Sequence, residues 1–373
     1  MRSPMAFKKE CLIAGLIIGL IIGCMLSFIV MGREVDELRN QVSRLRAEIE
    51  QLRGVVPPLR TLAEKHGIHI GAAVEANLLR IKEYAEILSR EFNVLTTENA
   101  LKFERVHPER NVYSFSEADA IISFAEANGM RVRGHTLVWH NQLPEWVTRG
   151  NYSREEWISI LRDHITTVVS RYRGRVYAWD VVNEAVDEDG SLRKTVWLQN
   201  IGPEYIELAF KWAHEADPQA LLFYNDYGAE GLGVKSDAVY NLVKSLVEKG
   251  VPIHGVGLQM HVSTEYYPAP QDIAANIKRL SDLGLEIHVT EMDVRLRLPA
   301  KPADLVRQAE IYRDVLMVCL SSEKCTAFVM WGFTDRYSWI PGFFSGYGSA
   351  LIFDENYDPK PAYYYILKSL MQP

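Results

Sequence analysis

Tyr177-Ala178-Trp179-Asp180-Val181-Val182-Asn183-Glu184 and Glu286-Ile287-His288-Val289-Thr290-Glu291 are built alike, each a run of apolar and β-branched side chains closed by a glutamate. Runs of this kind read as short buried strands. Six more lie along the chain, at residues 68–74, 94–97, 131–137, 220–224, 255–259 and 327–331. Helical patterns fill the intervals, for example at 77–90, 153–171, 203–216 and 236–248, several of them opened by a Ser, Asn or Asp cap or by a first-turn Pro. Eight strands, each followed by a helix over about 315 residues, predict an α/β protein of the (β/α)8 TIM-barrel type over residues 59–373. An open doubly wound sheet would call for a glycine-rich turn after its first strand, and Gly71-Ala72-Ala73-Val74-Glu75 lacks one.

A barrel of this kind places its chemistry at the C-terminal ends of the strands. Those ends hold Glu98 and Asn99, His135 and Trp139, Asn183 and Glu184, Asn225, Gln259 and His261, Glu291 and Asp293, and Trp331 followed by Trp339, with Lys102 just beyond the second. They offer no nucleophilic Ser or Cys and no glycine-rich phosphate loop. Amides and carboxylates can grip pairs of hydroxyls, and indoles can lie on sugar faces, so the set describes a carbohydrate cleft. Hydrolysis of a glycosidic bond needs one carboxylic acid to protonate the leaving oxygen and a second carboxylate to attack the anomeric carbon or activate water, which are roles for Glu184 and Glu291. The distance between the two separates retention from inversion, and sequence spacing does not supply it.

A single glutamate at a strand end would read as a solvated rim residue. Asn183-Glu184, Gln259-x-His261 and Glu291-x-Asp293 together read otherwise, because strand alternation puts each i, i+2 pair on one face. His135, His140, His261 and His288 raise a metal-dependent barrel hydrolase as an alternative. Such barrels open with paired histidines on the first strand, where this chain has only His69, so no metal or other cofactor is expected. Trp331 and Trp339 read as cleft wall rather than core from their place at and after the eighth strand.

The chain of 373 residues has a net charge of −7. Its first 56 residues carry eight Lys/Arg against six Asp/Glu, which leaves −9 on the remainder, and no basic tract that would neutralise phosphates. Nucleic acid is therefore excluded as a partner. Residues 11–32 have no charged side chain and would form about 33 Å of helix, the thickness of a bilayer core, so they read as a transmembrane anchor following a short tail at 1–10. A cleaved secretory signal is the competitor, as is a lipoprotein processed at Cys24, since Ile21-Ile22-Gly23-Cys24 looks like a lipobox. Gly15, Gly19 and Gly23 share a face that admits a second helix.

Residues 33–53 carry a heptad pattern, with Val35, Val42 and Ile49 at one core position and Leu38, Leu45 and Leu52 at the other. That choice favours a parallel two-stranded coil, so residues 15–23 and 35–52 are expected to form a homodimer. A lone amphipathic stalk is the plainer alternative. Gly54 to Pro58 would end the stalk in a stiff hinge.

With Gly134-His135-Thr136-Leu137-Val138-Trp139-His140, Trp179-Asp180-Val181-Val182-Asn183-Glu184, Gly257-Leu258-Gln259-Met260-His261, Val289-Thr290-Glu291-Met292-Asp293 and Trp331-Gly332-Phe333-Thr334-Asp335-Arg336-Tyr337-Ser338-Trp339 in this order, the barrel resembles the family 10 glycoside hydrolases, the retaining endo-1,4-β-xylanases. The resemblance implies Glu184 as acid/base and Glu291 as nucleophile. It gives Asn183 the 2-hydroxyl of the attacked sugar, and His261 the orientation of Glu291 with Asp293 behind it. Glu98, Asn99 and Lys102 would bind the next sugar toward the non-reducing end, and His135, Trp139, Gln259, Trp331 and Trp339 would enclose the reacting one, with Asn225 in support.

Gly228 departs from the family's usual Asn, which bears on aglycone contacts. The resemblance also implies a disulfide between Cys319 and Cys325, which requires a turn at 321–324, because six helical residues span about 9 Å. Two free buried thiols are the alternative. A polymer such as xylan does not cross membranes, so the barrel is expected on the outer face. A β-1,4-glucanase or an enzyme with mixed xylanase and cellulase activity, and a catalytically dead tethered carbohydrate-binding protein, are the other functional readings, the last opposed by the presence of both glutamates.

Overall fold

The eight strand runs form and their sheet closes on itself. The computed structural model describes residues 56–372, so the expected anchor at 11–32 and stalk at 33–53 lie outside the described residues. Among the described residues no helix is long and apolar enough to cross a membrane. The barrel strands are β1 His69–Ala73, β2 Val94–Thr96, β3 Arg131–Val138, β4 Ala178–Asn183, β5 Leu221–Asp226, β6 Gly255–Leu258, β7 Glu286–Arg297 and β8 Cys325–Met330. Each pairs in parallel with its neighbours, and β8 closes onto β1 with Ala327 opposite His69 and Val329 opposite Gly71. This is the expected (β/α)8 barrel.

The outer helices form where sequence period and caps agree. In Arg154–Arg171 the buried residues Trp157, Ile160, Leu161, His164, Ile165 and Val168 recur at three- and four-residue spacing, and Ser153 with Glu156 makes a capping box at its start. The pattern at 77–90 is not one helix. It divides into a 3-10 turn, Leu78–Arg80, and a helix, Lys82–Glu91, at Ile81, which is extended (φ −83°, ψ 112°). Leu78, Leu79 and Ile81 continue the apolar period across the break, which is why periodicity alone joined the two pieces.

Strand β7 runs seven residues past Thr290 because its outer half acquires partners from loops. His261–Ser263 pairs with it, placing His261 opposite Asp293, and Tyr347–Gly348 pairs farther out, placing Tyr347 opposite Arg297. Gln259 and His261 are therefore not alternate residues of one strand, as expected from sequence. Strand β6 ends at Leu258, and Met260 sits in the left-handed region (φ 64°) between them. Register shifts in the ladders, between His135 and Val138 on β3 and between Val289 and Met292 on β7, fall beside the residues that matter chemically.

Helix Pro302–Leu320 ends just before a turn whose backbone bonds run from Ser322 to Cys319 and from Cys325 to Ser322, both 3.0 Å. The turn brings the two cysteine Cα atoms to 5.2 Å, and Cys319 and Cys325 are disulfide-bonded.

Candidate active site

All twelve side chains expected to catalyse or bind substrate come to the C-terminal mouth of the barrel. They line one cleft of about 660 Å³: Glu98, Asn99, Lys102, His135, Trp139, Asn183, Glu184, Gln259, His261, Glu291, Trp331 and Trp339. Asp293 and Asn225 lie just behind this surface, both 0% exposed.

Glu184 follows β4 with a positive φ of 56°, a rare conformation for a residue with a side chain and one that recurs at working sites. Its Oε2 accepts from Trp139 Nε1 at 2.9 Å, and its Oε1 accepts from Gln259 Nε2 at 3.1 Å and from Asn183 Nδ2 at 3.2 Å. Glu291 is held by a different set. Asn225 Nδ2 donates to its Oε1 at 2.7 Å, and His261 Nε2 lies 3.2 Å from its Oε2. Amides link the two carboxylates, because Asn183 Oδ1 accepts from both Gln259 Nε2 at 3.1 Å and Asn225 Nδ2 at 2.9 Å.

The Asn225 amide is itself fixed. Thr290 Oγ1 donates to its Oδ1 at 2.7 Å. Gly257 packs beneath it so closely that an added Cβ would come within 2.1 Å of that oxygen. Glycine is needed here for space, not for backbone freedom.

Burial alone would raise the Glu291 pKa, but the His135 side chain and the hydrogen bond and charge of His261 hold it below the ordinary carboxylate value. Burial would likewise lower that of His261. The Asp293 carboxylate, 2.8 Å from Nδ1, together with Glu291 overrides this and raises it to about 10. His261 is thus an imidazolium between two carboxylates, and Trp339 Nε1 donates to the same Asp293 oxygen at 2.9 Å.

Glu98 is pushed up to about 8, first by burial and then by Glu75 beside it, so it carries a proton at neutral pH and can donate to a hydroxyl. Lys102 Nζ donates to Asn99 Oδ1 at 2.8 Å, and Asn99 in turn donates to Glu75. The ammonium also lies over the Trp139 ring, 5.0 Å from its centroid.

Below the cleft His135 Nδ1 is 2.9 Å from Asp180, whose two oxygens also take the fully buried Arg133 guanidinium at 2.7 and 3.1 Å. His135, Asp180 and Glu291 are the one cluster among the described residues with metal-ligand spacing, their ligand atoms lying within 4.8 Å. Arg133 and His261 already supply the balancing positive charge, and the donor set suits an ion-paired floor better than a cation site.

Sequence reading gave no substrate role to the cleft residues Asn141, Gln142, Tyr227, Arg295, Phe343 and Phe344, nor to His140, named there only as a metal-ligand alternative and within a family motif. Tyr227 and Arg295 follow Asn225 and Asp293 by two residues, and that spacing was the available signal.

A barrel with two separately held carboxylates in a polar and aromatic cleft has the layout of a glycoside hydrolase. Residues 58–369 match the profile of glycosyl hydrolase family 10, and the chain belongs to that family. Endo-1,4-beta-xylanase B of Thermotoga neapolitana is 51% identical over 319 residues, which is 84% of this chain and 92% of that protein. Endo-1,4-beta-xylanase of Agaricus bisporus is 42% identical over 308 residues, 82% of this chain and 92% of that one. The crystal structure of xylanase 10B from Thermotoga petrophila in complex with xylobiose superposes with a TM-score of 0.82 at 51% identity, covering 84% of this chain and 97% of that chain.

Proposed function

We propose that the chain is a retaining endo-1,4-β-xylanase that cleaves internal β-1,4-xylosidic bonds by double displacement. The relatives' activity supports the substrate class. The observation that carries the chemistry is the ionised Glu291, aimed by Asn225 and His261 into the same cleft as Glu184. In the first step the Glu184 carboxylic acid protonates the glycosidic oxygen as Glu291 attacks the anomeric carbon, giving a glycosyl-enzyme ester and a freed aglycone. In the second, Glu184 takes a proton from water, which displaces Glu291 and leaves the sugar with its original configuration. Asn183 holds the 2-hydroxyl of the reacting sugar. Glu98, Asn99 and Lys102 hold its neighbour toward the non-reducing end, and Trp139, Trp331, Trp339, His135 and Gln259 enclose the reacting ring. Product analysis on xylan and carboxymethylcellulose in parallel, with proton NMR of fresh product, tests this reading. Xylo-oligosaccharides released first as the β-anomer are expected; equal action on both polymers or initial α-anomer would overturn it.

The N-terminal segments support a second part of the proposal: residues 11–32 hold the barrel to the outer face of a membrane, as a parallel dimer joined through 15–23 and 35–52. Twenty-two uncharged residues and the Val/Ile and Leu heptad support it. In a background lacking native cysteines, single cysteines at Leu38 or Leu45 should crosslink in membranes and those at Arg44 or Ala47 should not. Equal crosslinking at all four, or none at any, would reduce the stalk to a spacer, and a mature chain starting at Cys24 in the unaltered protein would replace the anchor with a lipid.

A further inference from the structure

One cation of the cleft has no part in the reaction proposed above. Arg295 lies two residues beyond Asp293 on β7 and lines the cleft beside Trp339, Phe343 and Phe344. Its guanidinium lies over the Phe344 ring at 4.2 Å from the centroid, with the Tyr347 ring at 5.8 Å. Its one protein acceptor among the described residues is the Val262 carbonyl, at a long 3.4 Å from Nη1. The nearest acid in sequence across the ladder, Glu265, is already taken by Arg297 at 3.0 Å and by the Tyr347 hydroxyl at 2.6 Å. Arg295 makes no ion pair within 4 Å among the described residues, although its charge is felt by Glu265, so most of its five N–H donors have no carboxylate partner.

The other positive groups of the cleft are committed. His261 sits between Asp293 and Glu291, and Lys102 donates to Asn99 among the carboxyl groups of Glu291, Glu98 and Glu184. Arg295 is the surplus charge. A neutral xylose chain presents only hydroxyls and ring oxygens, for which a guanidinium gives no special advantage. A carboxylate is matched by two parallel N–H donors of one guanidinium, and the contact of Arg295 with the Phe344 ring uses none of these donors on an acid. Phe343, 71% exposed and packed 4.8 Å from Phe344, adds an apolar face on which a branch sugar can lie.

We propose that Arg295 receives the carboxylate of a uronic acid carried as a side branch on the xylan backbone, so that acid-branched chains are cleaved in preference to the same chains with the charge removed. This rests on the xylanase reading. Two substrates of one shape test it: a xylo-oligosaccharide bearing one glucuronic acid branch, and its counterpart with that carboxyl reduced to a hydroxymethyl group. For the wild-type enzyme kcat/KM should favour the acidic substrate about tenfold at low salt, and the preference should shrink as salt screens the pair. Arg295→Met keeps the apolar stem over Phe344 and should bring the ratio near one. Arg295→Lys keeps the charge and should retain part of the preference.

A wild-type ratio of one, or a ratio unchanged in Arg295→Met, overturns the proposal. So does an equal loss on both substrates in Arg295→Met, which would make the side chain a clamp for the Phe344 segment. A wild-type enzyme inactive on both substrates would sink the xylanase reading and this inference with it, whereas one active on both at equal rates sinks this inference alone.

Discussion

Asn225 holds Glu291 from behind, its amide nitrogen 2.7 Å from a carboxylate oxygen. The same nitrogen reaches Asn183, and its oxygen is fixed by Thr290, so the Asn225 amide cannot rotate to serve one partner without losing another. Asn225→Ala should lower kcat on an aryl xyloside by about a hundredfold with little change in KM, because it removes positioning of the attacking group rather than a contact to bound sugar. Steady-state kinetics decide the matter, and a loss confined to KM would contradict it.

The two glutamates should fail differently. Glu291→Ala should abolish turnover of every substrate. Glu184→Ala should retain the first step on aryl glycosides whose leaving group needs no proton, then stall at the ester, giving a burst of phenol in stopped-flow traces. A burst from Glu291→Ala and none from Glu184→Ala would exchange their roles.

His261 gives a prediction in pH. Its protonated ring supports the ionised form of Glu291, whose pKa is depressed, so the acid limb of kcat/KM belongs at low pH in the wild type. His261→Asn should move that limb to higher pH. Stability follows the opposite sense: the folded-state pKa of about 10 exceeds the ordinary 6.5, so this group's contribution is fully present below pH 6.5 and is lost as pH rises toward 10. The variant should therefore lose less stability than wild type over that range. Thermal unfolding at pH 6 and pH 9.5 measures the difference.

The barrel and its two glutamates were legible because β-branched runs ending in charged residues leave few other interpretations. Contributions that depend on chain direction outside the ladder were not. Met260, in the left-handed region, interrupts the strand between Gln259 and His261, yet both side chains still reach the cleft, so strand alternation named the right residues for the wrong reason. Arg295 was missed because β7 was ended at Thr290, and only loop strands supplied from far along the chain, His261–Ser263 and Tyr347–Gly348, extend it. Glu75 follows Val74 much as Glu98 follows Thr97, but its importance lies in a bond to Asn99, a partner no spacing rule identifies.

Part of the acid sensitivity should originate in a buried histidine pair away from the cleft, with His288, which burial and Arg133 also hold well below its usual value, adding to it. His107 Nδ1 and His164 Nδ1 lie 3.4 Å apart, and the remaining nitrogen of each ring has no hydrogen-bond partner. Phe103 stacks 3.8 Å from His164 and Tyr113 stacks 4.0 Å from His107, so a second proton on either ring would be placed among aromatic faces and against the other imidazole. Burial lowers His107 to about 4 and His164 well below its usual value. Both folded-state values are depressed, so as pH falls from about 6.5 toward 4 the unfolded chain takes up protons that the folded one refuses, and stability falls with it. Each group should lower Tm by about 2 °C per pH unit in that window, from about 1.4 kcal/mol per proton and the unfolding entropy of a domain this size. His164→Phe should flatten the decline whatever it does to Tm at neutral pH, since the slope counts protons and not packing. The layer also reaches the chemistry: Trp197, 5.7 Å from the Phe103 ring, donates to the Trp139 carbonyl at 2.8 Å, and Trp139 holds Glu184. Scanning calorimetry from pH 7 to pH 4 on both proteins is the measurement, and parallel slopes would remove His164 as a cause.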